Sequence, residues 1–164
     1  MELTMGLVNH LLRQGTYKSG GIAVLTPYLG QLRRLRHKLS QSFTITVGER
    51  DQEDLDKAGF FEDRPGLSRA TLLHTLRVAT IDNFQGEEAK VVVISLVRSN
   101  KQNRCGFLRT PNRINVLLSR AQHGMYIIGN SVTSSGVDMW RKVLDMLERD
   151  GKLGHTLDLT CPRH

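Results

Sequence analysis

Two groups of polar residues in this chain have the types and spacing to handle a phosphate. The first is a turn carrying Asp82, Gln85, Gly86 and Glu87, set between apolar runs in VATIDNFQGEEAKVVVISLVRSN over residues 78–100. Gly86 lets the backbone come close to a ligand. Gln85 and Glu87 can exchange hydrogen bonds with ribose hydroxyls, phosphate-bound water or a neighbouring loop. The second is an arginine pair, Arg113 and Arg120, in NRINVLLSRAQHGMYIIGN over residues 112–130. On a helix, residues seven apart share nearly one face. A guanidinium is always charged and clamps phosphate oxygens bidentately. An arginine supplied from outside a P-loop domain is a known way of stabilising charge in phosphoryl transfer. Each group alone has a plainer explanation: a polar turn with an aspartate cap, and a solvated basic helix face.

The elements that must position these residues follow from periodicity. Residues 3–12 predict a short helix, with Leu3, Leu7, Val8, Leu11 and Leu12 on one stripe. Residues 22–25 form an apolar run of the kind buried on both faces of a sheet, and it stops at Thr26-Pro27. A second helix begins at Tyr28, with Leu29, Leu32, Leu35 and Leu39 inward and Arg33, Arg34, Arg36 and Lys38 away from that stripe. Residues 43–47 suit a strand. Residues 48–69 are charged, contain Pro65 and show no steady period, which predicts a loop or insertion. Strands are expected over 76–81 and 91–97, the latter central. A helix is expected from Thr110-Pro111 to about Gln122, with Pro111 in its first turn and Ile114, Leu117, Leu118 and Ala121 packing. A strand over 125–128 and an amphipathic helix over 137–149, with Val137, Trp140, Val143, Leu144 and Leu147 inward, complete the pattern. Alternating strands and helices predict a parallel α/β sheet covered on both faces. Such sheets bind ligands at strand carboxyl ends. The turn after Ile81, the Thr26-Pro27-Tyr28 turn and the segment after Val97 fall there.

At 164 residues the chain is most naturally one domain, able to bury roughly 70% of its unfolded surface. A hydrophobic fraction of 39% and mean hydropathy of −0.30 suit a globular protein with an aliphatic core. The net charge is +7, and it is uneven. Residues 49–63 hold seven acids against two bases, a local −5 that leaves +12 on the rest. Such a balance favours a polyanionic partner, most commonly nucleic acid. No apolar run is long enough to span a membrane. Cys105 and Cys161 have no metal or redox spacing, which predicts a reducing, intracellular compartment, nucleus or cytoplasm. The six histidines are scattered without a nucleophile at catalytic spacing. No GxxxxGK[ST] loop occurs, and no Asp-Glu pair closes an apolar strand.

Taken in order, three blocks resemble the second motor domain of superfamily 1 helicases of the up-frameshift type. VLTPYLGQL, residues 24–32, resembles their motif IV. VATIDNFQGEEAKVVVISLVRSN resembles motif V with the strand after it, and NRINVLLSRAQHGMYIIGN resembles motif VI. GEEAKVVVISLVRSN, GFLRTPNRINVLLSRA and the ending TLDLTCPRH resemble more narrowly the helicases that carry X-box-binding-factor-type zinc fingers. The likeness covers about residues 3–154, apart from the loop near 48–75.

This resemblance implies a RecA-like, P-loop NTPase-type three-layer α/β/α sandwich over residues 1–154. Residues 155–164 would be a tail leading towards a zinc-finger region; one Cys161 and one His164 cannot make a tetrahedral site, so no metal is expected on this chain. Arg120 would be the arginine finger on the γ-phosphate. Glu87 and Gly86 would contact the ribose and phosphate side of ATP, with Arg113 nearby. Gln85 and Asp82 would link nucleotide state to the nucleic-acid groove. Thr26, Pro27, Tyr28 and Thr80 would face the nucleic-acid backbone, and Arg98 would add a phosphate contact. Mg2+ and the P-loop would come from the first RecA domain, so this monomeric segment alone would hold no ATP firmly and hydrolyse none. The partners implied are single-stranded RNA or DNA and that first domain, with a role in RNA surveillance or silencing. The alternative is a non-catalytic RNA- or partner-binding module that keeps the helicase fold; a stand-alone nucleotide-binding regulator fits less well, because a phosphate-cradling glycine loop is missing.

Overall fold

A computed structural model describes residues 1–17, 20–60, 75–96 and 106–157. Five strands form one sheet in the order β2-β3-β1-β4-β5: β1 (Ile22–Thr26), β2 (Thr44–Thr46), β3 (Thr75–Thr80), β4 (Ala89–Ser95) and β5 (Ala121–Ile128). Every pairing is parallel. All five residues of β1 are buried, because it is the middle strand and is covered on both faces.

The strands alternate between two cores. Ile22, Val24, Leu76, Val78, Val91 and Val93 pack under α1 (Glu2–Arg13), α2 (Leu29–Ser40) and α3 (Glu49–Lys57). Ala23, Leu25, Ala79, Val92 and Ile94 face the other way, under a 3-10 turn (Gly106–Arg109), α4 (Pro111–Leu118) and α6 (Asp138–Arg149). A single turn of helix, α5 (Ser131–Ser134), precedes α6. The result is the three-layer RecA-like sandwich expected. Across the first layer, Lys38 bonds Glu2 at 2.9 Å and holds that exposed carboxyl below its ordinary range.

Three expectations are corrected. Residues 49–57, read as loop, form α3. Only Asp51 and Leu55 of this helix are buried, so its inward stripe is half polar and leaves no apolar period. The helix over 111–122 stops at Leu118, and Ala121 already starts β5. The chain must turn there to pair with β4, and the Ala89 N–H donates to the Arg120 carbonyl at 3.1 Å. Arg120 therefore lies past the helix and shares no helical face with Arg113. Arg36, read as lying away from the apolar stripe of α2, is buried and donates through Nη1 to Gln52 Oε1 at 2.8 Å.

Candidate nucleotide and nucleic-acid site

The site is built on the connection between β3 and β4. The chain leaves β3 at the carboxyl edge of the sheet and enters β4 at the amino edge. Residues 81–88 must therefore cross the sheet, a length of roughly 20 Å at the ordinary strand rise for six residues. They do so as successive turns. Phe84 N–H donates to the Thr80 carbonyl at 3.0 Å, Gln85 N–H to Asp82 at 3.4 Å, and Glu87 N–H to Phe84 at 3.2 Å. Ile81 and Phe84 are buried in the core beneath α4, which pins the segment to that face. Asp82, Gln85, Gly86 and Glu87 stay exposed. Gly86 has φ +86°, a conformation that L side chains rarely adopt.

α4 runs beside this segment in the same direction. At the carboxyl edge Arg113 Nε lies 3.5 Å from Asp82 Oδ1. At the amino edge Arg120 Nη1 donates to the Glu87 carbonyl at 3.2 Å. Arg120 also donates through Nε to the Val116 carbonyl at 2.7 Å and through Nη2 to Ser119 Oγ at 2.9 Å. The Val116 carbonyl is one of those a helix end leaves without an intrahelical partner, so Arg120 caps α4 with its side chain. These bonds use three of the five guanidinium N–H groups and leave two among the described residues.

Glu87 is paired with Arg77, by Nε to Oε2 at 3.1 Å and Nη2 to Oε1 at 2.9 Å. This is the parallel fork that a planar guanidinium makes with a carboxylate. The Arg77 guanidinium also lies against Gly48, where a Cβ would fall 2.7 Å from Nη2. Nothing in the sequence signalled Arg77, because it sits inside an otherwise apolar strand.

The carboxyl edge holds the second group. Thr26 is fully buried; its carbonyl accepts from Ile81 N–H at 3.1 Å, and its hydroxyl has no partner among the described residues. Pro27 is buried, and Tyr28, half-buried, is the N-cap of α2. The Thr80 hydroxyl and N–H are both taken up by Asp51, together with the Asn83 amide. Asp51 and Asn83 were missed in the sequence, the first because an aspartate in an acidic run reads as solvated. Arg98 lies outside the described residues, as do Cys105, Cys161 and His164. Among the described residues no three His, Cys, Asp or Glu side chains gather as a metal site.

The structure thus splits the predicted residues between two edges of one sheet. Gly86, Glu87 and Arg120 gather towards the amino edge; Thr26, Pro27, Tyr28, Thr80, Asp82 and Arg113 gather at the carboxyl edge. The expectation that the turn after Ile81 lies at a carboxyl end is corrected for Gly86 and Glu87.

The fold is a RecA-like α/β sheet with an arginine next to an exposed Gln-Gly-Glu turn. A family model described as an AAA domain matches residues 1–132. The chain is 34% identical over 169 residues to the NFX1-type zinc finger-containing protein 1 homolog of Caenorhabditis elegans, covering 100% of this chain and 6% of that protein. It is 33% identical over 138 residues to the regulator of nonsense transcripts 1 homolog of Arabidopsis thaliana, covering 84% of this chain and 9% of the relative. It is 30% identical over 147 residues to helicase sen1 of Schizosaccharomyces pombe, covering 88% and 7%. The chain belongs to this AAA domain family, as a superfamily 1 helicase domain of the up-frameshift type. It spans less than a tenth of the length of each of these three relatives.

Proposed function

We propose that this chain is the second motor domain of an ATP-dependent helicase that acts on single-stranded RNA, and that Arg120 is its arginine finger. One observation carries the reading: Arg120 is anchored by its neighbours, yet keeps two N–H donors without a partner among the described residues, beside the exposed Gln85-Gly86-Glu87 turn. A preorganised guanidinium held at such a place stabilises charge that develops on a phosphoryl group.

The residues present fit one side of a nucleotide. Gly86 allows close backbone approach, the Gln85 amide offers a donor to phosphate, the Glu87 carboxylate offers an acceptor to ribose hydroxyls, and Arg120 supplies positive charge. Bound ATP supplies the phosphoryl group whose transfer to water drives the cycle, and a P-loop and Mg2+ from a first RecA domain complete the site. The chain alone is inactive in this reading. At the other edge, Tyr28 and Asp82 would meet the nucleic-acid backbone, with the buried Thr26, Pro27 and Thr80 supporting them from beneath. The +12 carried outside residues 49–63 supports a sequence-independent grip on phosphates.

The test is ATP turnover by the full-length protein with and without single-stranded RNA. RNA-stimulated turnover that falls on the order of a thousandfold in Arg120→Ala supports the motor. Absence of turnover in the wild type, with salt-sensitive RNA binding retained, replaces it with a binding module that keeps the helicase fold. Stimulation by DNA in place of RNA corrects the substrate.

A further inference from the structure

Residues 48–75 lie outside the three helicase-like blocks, yet α3 within them grips the segment that joins the two edges of the site. Asp51 on α3 is fully buried. Its carboxylate accepts from Thr80 N–H at 3.3 and 3.1 Å, from the Thr80 hydroxyl, and from Asn83 Nδ2 at 2.8 Å. Asp54 Oδ2 accepts from the same Asn83 amide at 3.0 Å. Burying a carboxylate is unfavourable unless its lone pairs are met. Here neutral donors of β3 and the following turn meet them.

The sheet explains why the acid is there. β2 stops at Thr46, which pairs with Arg77. Ile81 N–H points to β1, where it meets the Thr26 carbonyl, so the N–H of Thr80 points away towards the β2 side. No strand residue of β2 reaches that far. Asp51 replaces the missing strand and, with the same oxygens, fixes Asn83 next to Asp82. The other end of the segment is also tied to this region. Gly48, the N-cap of α3, packs on the Arg77 guanidinium, and that guanidinium holds Glu87.

We propose that Asp51 is the positioning residue for residues 80–83: it fixes the Thr80-Asn83 turn in the conformation that engages the nucleic-acid backbone. The inference rests on the helicase reading above. Asp51 acts through Thr80 and Asn83 and touches no substrate itself.

The test uses the full-length protein, with a single-stranded oligouridylate as the probe. Asp51→Asn keeps the size but turns one acceptor oxygen into an N–H2 facing donors. The RNA concentration for half-maximal stimulation should rise about tenfold, the loss expected for a hydrogen bond to a charged group. RNA-free turnover and the KM for ATP should stay at wild-type values. Asn83→Ala, which removes one donor from a half-buried position, should move the same parameter the same way by less. Asp51→Glu, which restores a carboxylate, should recover part of it. A merely structural role would lower the melting temperature and the active fraction while leaving half-maximal RNA unchanged in all three variants, and that result overturns the proposal. A wild-type protein with no RNA-stimulated turnover overturns the helicase reading, and this role with it.

Discussion

Arg120 Nη1 donates to the backbone carbonyl of Glu87 at 3.2 Å, while the Glu87 carboxylate is held by Arg77. One residue of the exposed turn is thus gripped by two arginines, by its main chain from the residue that follows the end of α4 and by its side chain from β3. The Arg113–Asp82 contact at 3.5 Å ties the same two elements at the opposite edge of the sheet. α4 and the turn therefore form a two-rung frame that crosses the sheet. A shift at one rung reaches the other through short, packed segments rather than through a long loop.

Arg120→Lys should behave almost like Arg120→Ala in turnover. An ammonium is a point donor with three N–H groups, and it lacks the fork needed to meet the Val116 carbonyl, the Glu87 carbonyl and an incoming phosphate together. Loss of the cap on α4 should cost about 1 kcal/mol of stability, by analogy with other lost hydrogen bonds. That corresponds to a drop of roughly 2–4 °C in melting temperature for a chain of this size. Steady-state kinetics and a thermal melt on the same sample separate the two effects. Full turnover in the lysine variant would show that charge alone suffices and that the fork is not used.

Gly86→Ala isolates backbone strain. A Cβ at this position meets nothing within 4 Å, so no clash is created. The cost comes from holding alanine at φ +86°, about 1–2 kcal/mol. Melting should fall by roughly 2–4 °C per kcal/mol. The KM for ATP should rise if the Cβ also blocks close approach of the nucleotide. A KM equal to wild type would remove Gly86 from the binding surface and leave it as a turn residue.

How much of this was legible in the sequence depended on what each residue packs against. β1 and α2 were read nearly to the residue and β4 two residues late at each end, because Ala23, Val24, Leu32, Leu35, Val92 and Val93 are buried and print their period directly. α3 was invisible: its inward positions are Asp51 and Leu55, and a buried aspartate is indistinguishable from a solvated one until its partners Thr80 and Asn83 are known. The first half of β5 was missed for a related reason. It is an edge strand, and Gln122 and His123 are exposed, so no apolar alternation marks them. Arg120 was read onto the helix because Ile114, Leu117, Leu118 and Ala121 carry its apolar stripe past Leu118. Only the demand that Ala121 pair with Ala89 ends the helix early. The types of the candidate site residues were legible, and their division between two edges of the sheet required the register.

Asp82→Asn should separate function from stability at the carboxyl edge. Asp82 and Arg113 are 51% and 40% exposed in their side chains, and Arg113 has further contacts. An exposed pair at this distance contributes at most about 1 kcal/mol and is screened by salt. The melting temperature should therefore stay within a few degrees of wild type, roughly 2–4 °C at most. RNA stimulation of ATP turnover should nonetheless fall, because Asp82 begins the segment that links the edges. Unchanged stimulation with an unchanged melt would assign Asp82 to the solvated surface alone.

Trp140→Phe tests the opposite case, in which stability changes and chemistry does not. Trp140 is 2% exposed, and its Nε1 donates to the Leu108 carbonyl at 3.2 Å inside the second core. Phenylalanine keeps much of the apolar contact but leaves that buried carbonyl without its donor, a cost of about 1–3 kcal/mol. The melt should drop by roughly 2–4 °C for each kcal/mol lost. Leu108 belongs to the 3-10 turn that leads into Thr110 and Pro111, so any loosening begins at the start of α4, near Arg113. Arg120 lies past the other end of α4 and is held by Val116, Ser119 and Glu87, none of which touches Trp140 through a hydrogen bond. Turnover at 25 °C should therefore match wild type while the melt falls. A parallel loss of turnover would mean that the packing of Trp140 reaches the arginine through the body of α4, and the two ends of that helix would have to be treated as one rigid unit.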